Sequence, residues 1–215
     1  ASDVYKRQPD RSWSIAVPDE GNYRVLSIGE GTDERNLVHI KFEKEGDFIP
    51  IINEFEATYN FLGGVKNRLW FYTTLDAPKG RIVSLDIIEG GDYLWKEVIS
   101  EDAPISSVSL VGKKLIVNYL QDTITKIKFF DLEGTYLSDL DFPQNGSING
   151  FYGNLKDRTA YFEFTNYTTP EEVFEIDVET LSYKSYWKSD IPGFNPEQYL
   201  SLIHISEPTR PERIS

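Results

Sequence analysis

Short strands recur along this chain in sets of four, at a period of about forty-five residues. One set reads Ala57–Leu62, Arg68–Thr74, Arg81–Ile87 and Tyr93–Ile99. The next reads Ile105–Val111, Leu115–Leu120, Thr125–Leu132 and Thr135–Leu140, and a third Ser147–Tyr152, Thr159–Asn166, Glu172–Val178 and Ser182–Trp187. An earlier set is Trp13–Val17, Tyr23–Ile28, Leu37–Phe42 and Phe48–Ile52. The segments are β-branched and aromatic, and Gly, Pro, Asn and Asp punctuate them. No stretch carries an apolar period of 3.6 residues over three turns. The third strands align best, placing Asp86, Asp131 and Asp177 at spacings of 45 and 46. A glycine after the first strand is expected at Gly63, Gly112 and Gly153. Four-stranded units at this period are the signature of β-propeller blades, which stack radially because no blade buries both faces alone. The expected fold is therefore all-β, a propeller or part of one with about four blades. On the repeat alone, a closed four-bladed ring and an arc of a larger ring are both open. Each repeated Asp, at a strand end before a turn, is expected to cap that turn through nearby backbone.

Composition narrows the function classes. Of 215 residues, 40% are apolar and 14% aromatic, a globular and strand-favouring mixture. Cysteine is absent, which removes a disulfide scaffold, a Cys nucleophile and any thiolate metal site. It does not fix the compartment; the cytoplasm is the expectation, with the periplasm or secretion as alternatives. The net charge of −13 makes nucleic acid and anionic membrane poor partners. No apolar run approaches the ~18 residues of a membrane span.

The two ends read as translated adapter. GAT GTG TAT AAG AGA CAG encodes Asp3 to Gln8, and its reverse complement, CTG TCT CTT ATA CAC ATC, encodes Leu200 to Ile205. That string is the mosaic end of a transposase sequencing adapter, and the flanks Ala1-Ser2 and Ser206 to Arg210 agree with it. Residues 1–8 and 200–215 are accordingly set aside from fold reasoning. Residues 9–199 then carry 18 basic and 32 acidic side chains, for a net charge of −14, and His39 is their only histidine.

Catalytic motifs are sparse. No G-x-S-x-G occurs, so the hydrolase nucleophile elbow is missing; Gly146 to Gly150 lacks that spacing and is expected in a turn. Gly29-Glu30-Gly31 is not a phosphate loop, because neither a third glycine nor a helix follows. His39, without cysteine partners, is expected as a strand surface residue. Asp33-Glu34 and Glu171-Glu172 read as solvated loop charge rather than a glycosidase pair. Asn145 and Asn166 open glycosylation-type triplets that arise often by chance. The second-to-third strand connections, 30–36, 75–80, 121–124 and 167–172, are polar. They are expected on one face, as exposed turns or as contacts to a neighbouring domain.

A collinear series of segments carries a resemblance. Glu30 to Asp33 with Asn36, Phe48 to Pro50 with Phe55, and Tyr59 to Phe61 open it. Phe71 to Pro78 with Gly80-Arg81, Val108 to Leu110 with Tyr119-Leu120, and Phe129 to Gly134 follow. Gly146-Ser147 with Gly150-Phe151, and Phe162 to Thr165 with Tyr167 to Pro170, complete it. In order and spacing this resembles the propeller of the prolyl oligopeptidases. Phe194 to Tyr199 resembles the segment where that family's chain leaves the propeller for its α/β-hydrolase domain.

The resemblance implies a seven-bladed parent, of which residues 9–193 hold about four blades (13–53, 57–99, 105–142 and 147–187), with 194–199 starting the crossover. It implies a serine peptidase that cleaves short peptides after proline, its propeller admitting only small, unfolded substrates. The implied partners are the chain's own C-terminal hydrolase domain and short proline-containing peptides. No catalytic, cofactor-binding or metal-binding residue is assigned within this chain, and no cofactor is implied. The alternative from another class is a free-standing propeller that binds protein or carbohydrate partners without chemistry.

Overall fold

The computed structural model describes residues 10–193, apart from 19–22, 43–45, 89–91, 122–123, 144–145, 167 and 169. The adapter-like ends and the crossover segment 194–199 lie outside the described residues. Sixteen strands form four antiparallel sheets, and no described residue is helical. The first sheet holds β1 (Arg11–Ala16), β2 (Tyr23–Glu30), β3 (Asn36–Phe42) and β4 (Ile49–Ile52). The second holds β5 (Tyr59–Val65), β6 (Arg68–Thr73), β7 (Arg81–Ile87) and β8 (Tyr93–Ile99). The third holds β9 (Ile105–Val111), β10 (Lys114–Gln121), β11 (Ile124–Phe130) and β12 (Tyr136–Asp139). The fourth holds β13 (Ser147–Tyr152), β14 (Thr159–Thr165), β15 (Glu172–Asp177) and β16 (Tyr183–Lys188). Each sheet is a simple up-and-down meander in chain order, as a propeller blade is.

Packing between sheets follows from the pleat. A strand turns alternate side chains to opposite faces, so each blade offers one apolar set to each neighbour. Val25, Val38 and Ile40 of the first blade meet Tyr59, Leu69, Phe71 and Leu85 of the second. Trp70, Ile82 and Ile99 meet Leu115, Val117 and Tyr119 of the third. Ile116, Ile127 and Phe129 meet Phe151, Phe162, Phe164 and Ile176 of the fourth. Four blades thus share three apolar cores, and among the described residues no core joins the first blade to the fourth. The fourth blade is the most aromatic, with Phe162 and Phe174 stacked at 5.3 Å between ring centres and Phe142 wedged edge-on beside them.

Several local expectations change. β5 runs on to Val65, so Gly63 lies inside the strand at a register shift, whereas Gly112 and Gly153 do follow β9 and β13. At φ 151°, with Leu110 of the next blade 2.6 Å from where a Cβ would sit, Gly63 lets two first strands approach closely. Asp131 and Asp177 cap turns as expected: Asp131 accepts from the backbone of Glu133 and Thr135, and Asp177 from that of Glu179 and Thr180. Asp86 instead binds the side chains of Arg68 and Lys96, because β7 continues one residue past it and its carboxylate faces the flanking strands. The run 146–150 enters β13 rather than forming a turn, since Ser147 to Asn149 pair with β14. Glu172 is not solvated loop charge: it starts β15, is 5% exposed, and pairs with Lys188 at 3.1 Å.

Candidate functional site

The four first strands set the geometry. In a meander whose blades all run the same way, the second-to-third connections gather at the end where the first strands begin. Backbone bonds bear this out: Thr74 N donates to Thr58 O, and Ile105 N to Lys79 O, tying connection 75–80 to both first-strand entries beside it. Connections 30–36 and 75–80 therefore share one face. Residues 122–123, 167 and 169 of the other two connections lie outside the described residues.

On this face a polar cleft of about 590 Å³ opens between the second and third blades. Thr58, Asn60 and Leu62 form one wall and Ile105, Ser106, Ser107 and Val108 the other, with Tyr72, Thr74 and Glu34 around the rim. Two walls are braced. The Thr58 hydroxyl donates to Glu34 O at 2.9 Å, and Thr74 Oγ1 accepts from Thr58 N at 3.1 Å. The Ser106 hydroxyl donates to Asn118 O at 3.1 Å. Glu34 thus belongs to the first blade yet leans over a cleft made by the next two.

Electrostatics at the rim is dominated by carboxylate. The Arg35 guanidinium, hydrogen-bonded to Asp33 through Nε and Nη2, holds that carboxyl down at about 2. Arg35 is therefore committed to Asp33, and Glu34 forms no ion pair among the described residues. Burial, aided by the Glu34 charge, pushes the Tyr72 phenol up, so it remains a hydrogen-bond donor at neutral pH.

At the opposite end the first strands converge. An opening of about 290 Å³ draws its lining from all four blades: Ala16 to Pro18, Phe61 to Gly64, Leu110, and Gly153 to Leu155. Gly63, Gly64 and Gly153 bring backbone to its wall beside Phe61, Leu62, Leu110 and Leu155, and the surface it exposes is more polar than apolar.

The residues weighed from sequence do not assemble into a catalytic group. His39 lies in β3 opposite Leu26 and Pro50, half-buried, and its Nε2 is shielded with no hydrogen-bond partner; it is not the surface residue expected. Asp33 and Glu34 are exposed as expected, while Glu171 and Glu172 lie on the fourth blade. The Asn166 side-chain oxygen accepts from Thr168 N and Thr168 Oγ1, the hydrogen bonding of a local turn. Asn145 is outside the described residues. Among the described residues no three His, Cys, Asp or Glu side chains are grouped to hold a metal. The cleft itself was not foreseen, since Asn60, Tyr72 and Ser107 belong to three strands with no shared sequence signal.

Comparison with known proteins places this arrangement. The family model of the prolyl oligopeptidase N-terminal β-propeller domain matches residues 1–188. The prolyl endopeptidase of Elizabethkingia meningoseptica is 31% identical over 90% of this chain and 27% of its own length. That of Elizabethkingia miricola is 30% identical over the same shares. A solved prolyl endopeptidase superposes with a TM-score of 0.79 at 30% identity, over 88% of this chain and 28% of that one. Prolyl oligopeptidase B from Galerina marginata gives the same TM-score at 17% identity, over 89% and 28%, a likeness of fold. The chain spans about a quarter of the length of the curated relatives it matches. Four blades with three shared cores and a family model matched over most of the chain lead to one assignment: the chain belongs to the prolyl oligopeptidase family and is part of its N-terminal β-propeller domain.

Proposed function

We propose that this chain is the substrate-gating propeller portion of a serine-type prolyl oligopeptidase that cleaves short peptides after proline. Catalysis belongs to a C-terminal α/β-hydrolase domain in the same parent chain, and no residue described here takes part in bond cleavage. The observation that carries the gating reading is the narrow opening where all four first strands converge. An opening of about 290 Å³ is at the small end of the range for drug-sized ligands. In the seven-bladed parent ring, an opening framed by the first strands would discriminate by size before chemistry begins, which makes specificity partly a matter of access. Acyl transfer by serine needs a nucleophile, a base and an orienting acid in contact, and the one imidazole of 9–199 sits in a paired strand with no hydrogen-bond partner at Nε2.

The test uses the parent enzyme with Val17→Cys as its single reactive cysteine, because Val17 lines the opening and is exposed. Alkylation with a bulky maleimide is expected to slow cleavage of long proline-containing peptides and spare a proline dipeptide substrate. Equal rates on long peptides before and after alkylation would remove the gating assignment. Serine-reactive phosphonate is expected to label the parent and leave residues 9–199 unlabelled.

A further inference from the structure

The polar cleft on the face of the second-to-third connections has no place in that gating reading. It lies toward the entry end of the first strands and the narrow opening toward their far end, with Leu62 of β5 bordering both. Its side chains divide into two groups. Thr58, Thr74 and Ser106 spend their hydroxyls on backbone atoms and fix the walls. Glu34, Asn60, Tyr72 and Ser107 also border the cleft, and among the described residues no hydrogen bond engages their side chains. Four unengaged polar groups from three blades around one cavity form a candidate ligand site.

The charge and shape of the site select the ligand. Arg35, the one cation adjoining Glu34 in sequence, is held bidentate by Asp33. The Glu34 carboxylate is left without a counter-charge in a chain whose net charge is −13. An anionic ligand is repelled there, and a cationic one is attracted. Leu62, Ile105 and Val108 give the same cleft an apolar side suited to methylene groups. A long basic side chain has this dual character, an aliphatic stem ending in a strongly hydrated cation. We propose that the cleft takes a lysine side chain, with Glu34 meeting the ammonium, Asn60, Ser107 and Tyr72 bonding the adjoining peptide groups, and Leu62, Ile105 and Val108 flanking the stem. Asn60 and Ser107 supply both donors and acceptors, and Tyr72 supplies a donor, so one peptide unit finds a partner for its C=O and its N–H.

The site binds whether or not the parent cleaves peptides, and the test uses probes without a proline bond. N-acetyl-lysinamide, N-acetyl-norleucinamide and alaninamide are titrated into the full chain by calorimetry at low salt. The lysine probe is expected to bind, and the uncharged norleucine probe to show no heat. Glu34→Gln is expected to weaken lysine binding about fivefold, and Asn60→Ala to weaken it by a similar factor. Both positions are exposed, so an unchanged urea midpoint separates loss of the site from loss of the fold. Glu54→Gln, an exposed acid that does not line the cleft, is expected to leave binding unchanged. No binding of the lysine probe, equal weakening by Glu54→Gln and Glu34→Gln, or equal binding of alaninamide would each overturn the proposal. The last would mark a site for amino termini instead.

Discussion

Asn36 is buried at the first residue of β3, where its amide answers two backbone groups of the next blade. Its Oδ1 accepts from Tyr59 N at 2.7 Å, and its Nδ2 donates to Tyr59 O at 3.0 Å and Ser27 Oγ at 2.8 Å. Asn36→Leu leaves that N–H and C=O inside the blade contact without partners, which costs about 1–3 kcal/mol for each unmet group. Urea unfolding is expected to show the midpoint falling with the slope unchanged. Asn36→Asp, which still accepts from Tyr59 N, should retain part of the lost stability. Acid sensitivity also starts from single residues. The Asp177 carboxyl is held down at about 2, first by the Thr180 backbone N–H and then also by Arg158, and Asp33 is held there by Arg35. A carboxylate with a lowered folded value adds stability above its ordinary value of 3.8 and loses it as pH falls toward 2. Unfolding followed from pH 5 to pH 2 should therefore steepen below pH 4, and Asp177→Asn should flatten that limb. Burial pushes Tyr59 and Tyr119 up to about 12. Their contribution is complete below pH 10 and is lost as pH rises through 12. At this scale the sequence was a partial guide. The turn-capping roles of Asp131 and Asp177 follow from residue type and position, but the side-chain partners of Asp86 depend on where β7 ends. The blade-joining role of Asn36 depends on a residue 23 positions away.

Blades are held by close approach as much as by apolar area, and glycines mark where the approach is closest. Gly112 follows β9 with φ 57°, and a Cβ there would lie 2.5 Å from Val178 Cγ2 and 2.7 Å from Asp157 O, both on the fourth blade. The carbonyl belongs to backbone and has little room to give. Gly112→Ala is therefore expected to cost about 2 kcal/mol or more, from the left-handed backbone and the contact together. A lowered thermal midpoint with intact far-ultraviolet dichroism would be the expected record, and an unchanged midpoint would mean that the two blades part freely. Ion pairs repeat across the same junctions. Arg68 reaches Glu133 of the next blade, and Lys114 reaches Glu179 of the one after, each acid lying two residues past the repeated Asp. This regularity is why the element count and the period were legible in the sequence. Turn residues and β-branched runs are local signals, and a repeat supplies them several times over. The polar cleft was not legible, because its walls come from β5 and β9 and its rim from the end of β6 and a loop of the first blade. Nothing local distinguishes Asn60 or Ser107 from any other polar strand residue.

For the molecule as a whole, three cores among four blades leave one face of the first blade and one of the fourth outside them. Phe61, Trp70, Phe162 and Phe164 turn inward. Trp70, Phe162 and Phe164 are fully buried between blades, and Phe61 packs against the first core. The pleat decides this: along β14, Phe162 and Phe164 alternate with Tyr161, Glu163 and Thr165, and only one of the two sets meets the third blade. The uncovered face of the first blade carries Trp13 and Ile15 of β1, directly opposite Ile28 and Leu26 of β2, which in turn oppose Leu37 and His39 of β3. Trp13 is 60% exposed and Ile15 57%. The uncovered face of the fourth blade is mixed, with Tyr161 against Tyr186 and Glu175 paired to Lys184. An apolar sheet face of this kind drives association when nothing packs on it. Sedimentation velocity of residues 9–199 is thus expected to show concentration-dependent oligomers. Trp13→Lys with Ile15→Lys should shift the distribution toward monomer, since both side chains stand out from the edge strand and neither belongs to a core. On the adapter reading of the ends, deleting residues 1–8 and 200–215 should change neither the oligomers nor the thermal midpoint, because translated adapter has no reason to pack. A midpoint lowered by several degrees on deletion, equivalent to about 1–2 kcal/mol in a domain of this size, would contradict the adapter reading. A monodisperse monomer at every concentration would contradict the open arc, and would mean that the first and fourth blades close on one another in solution.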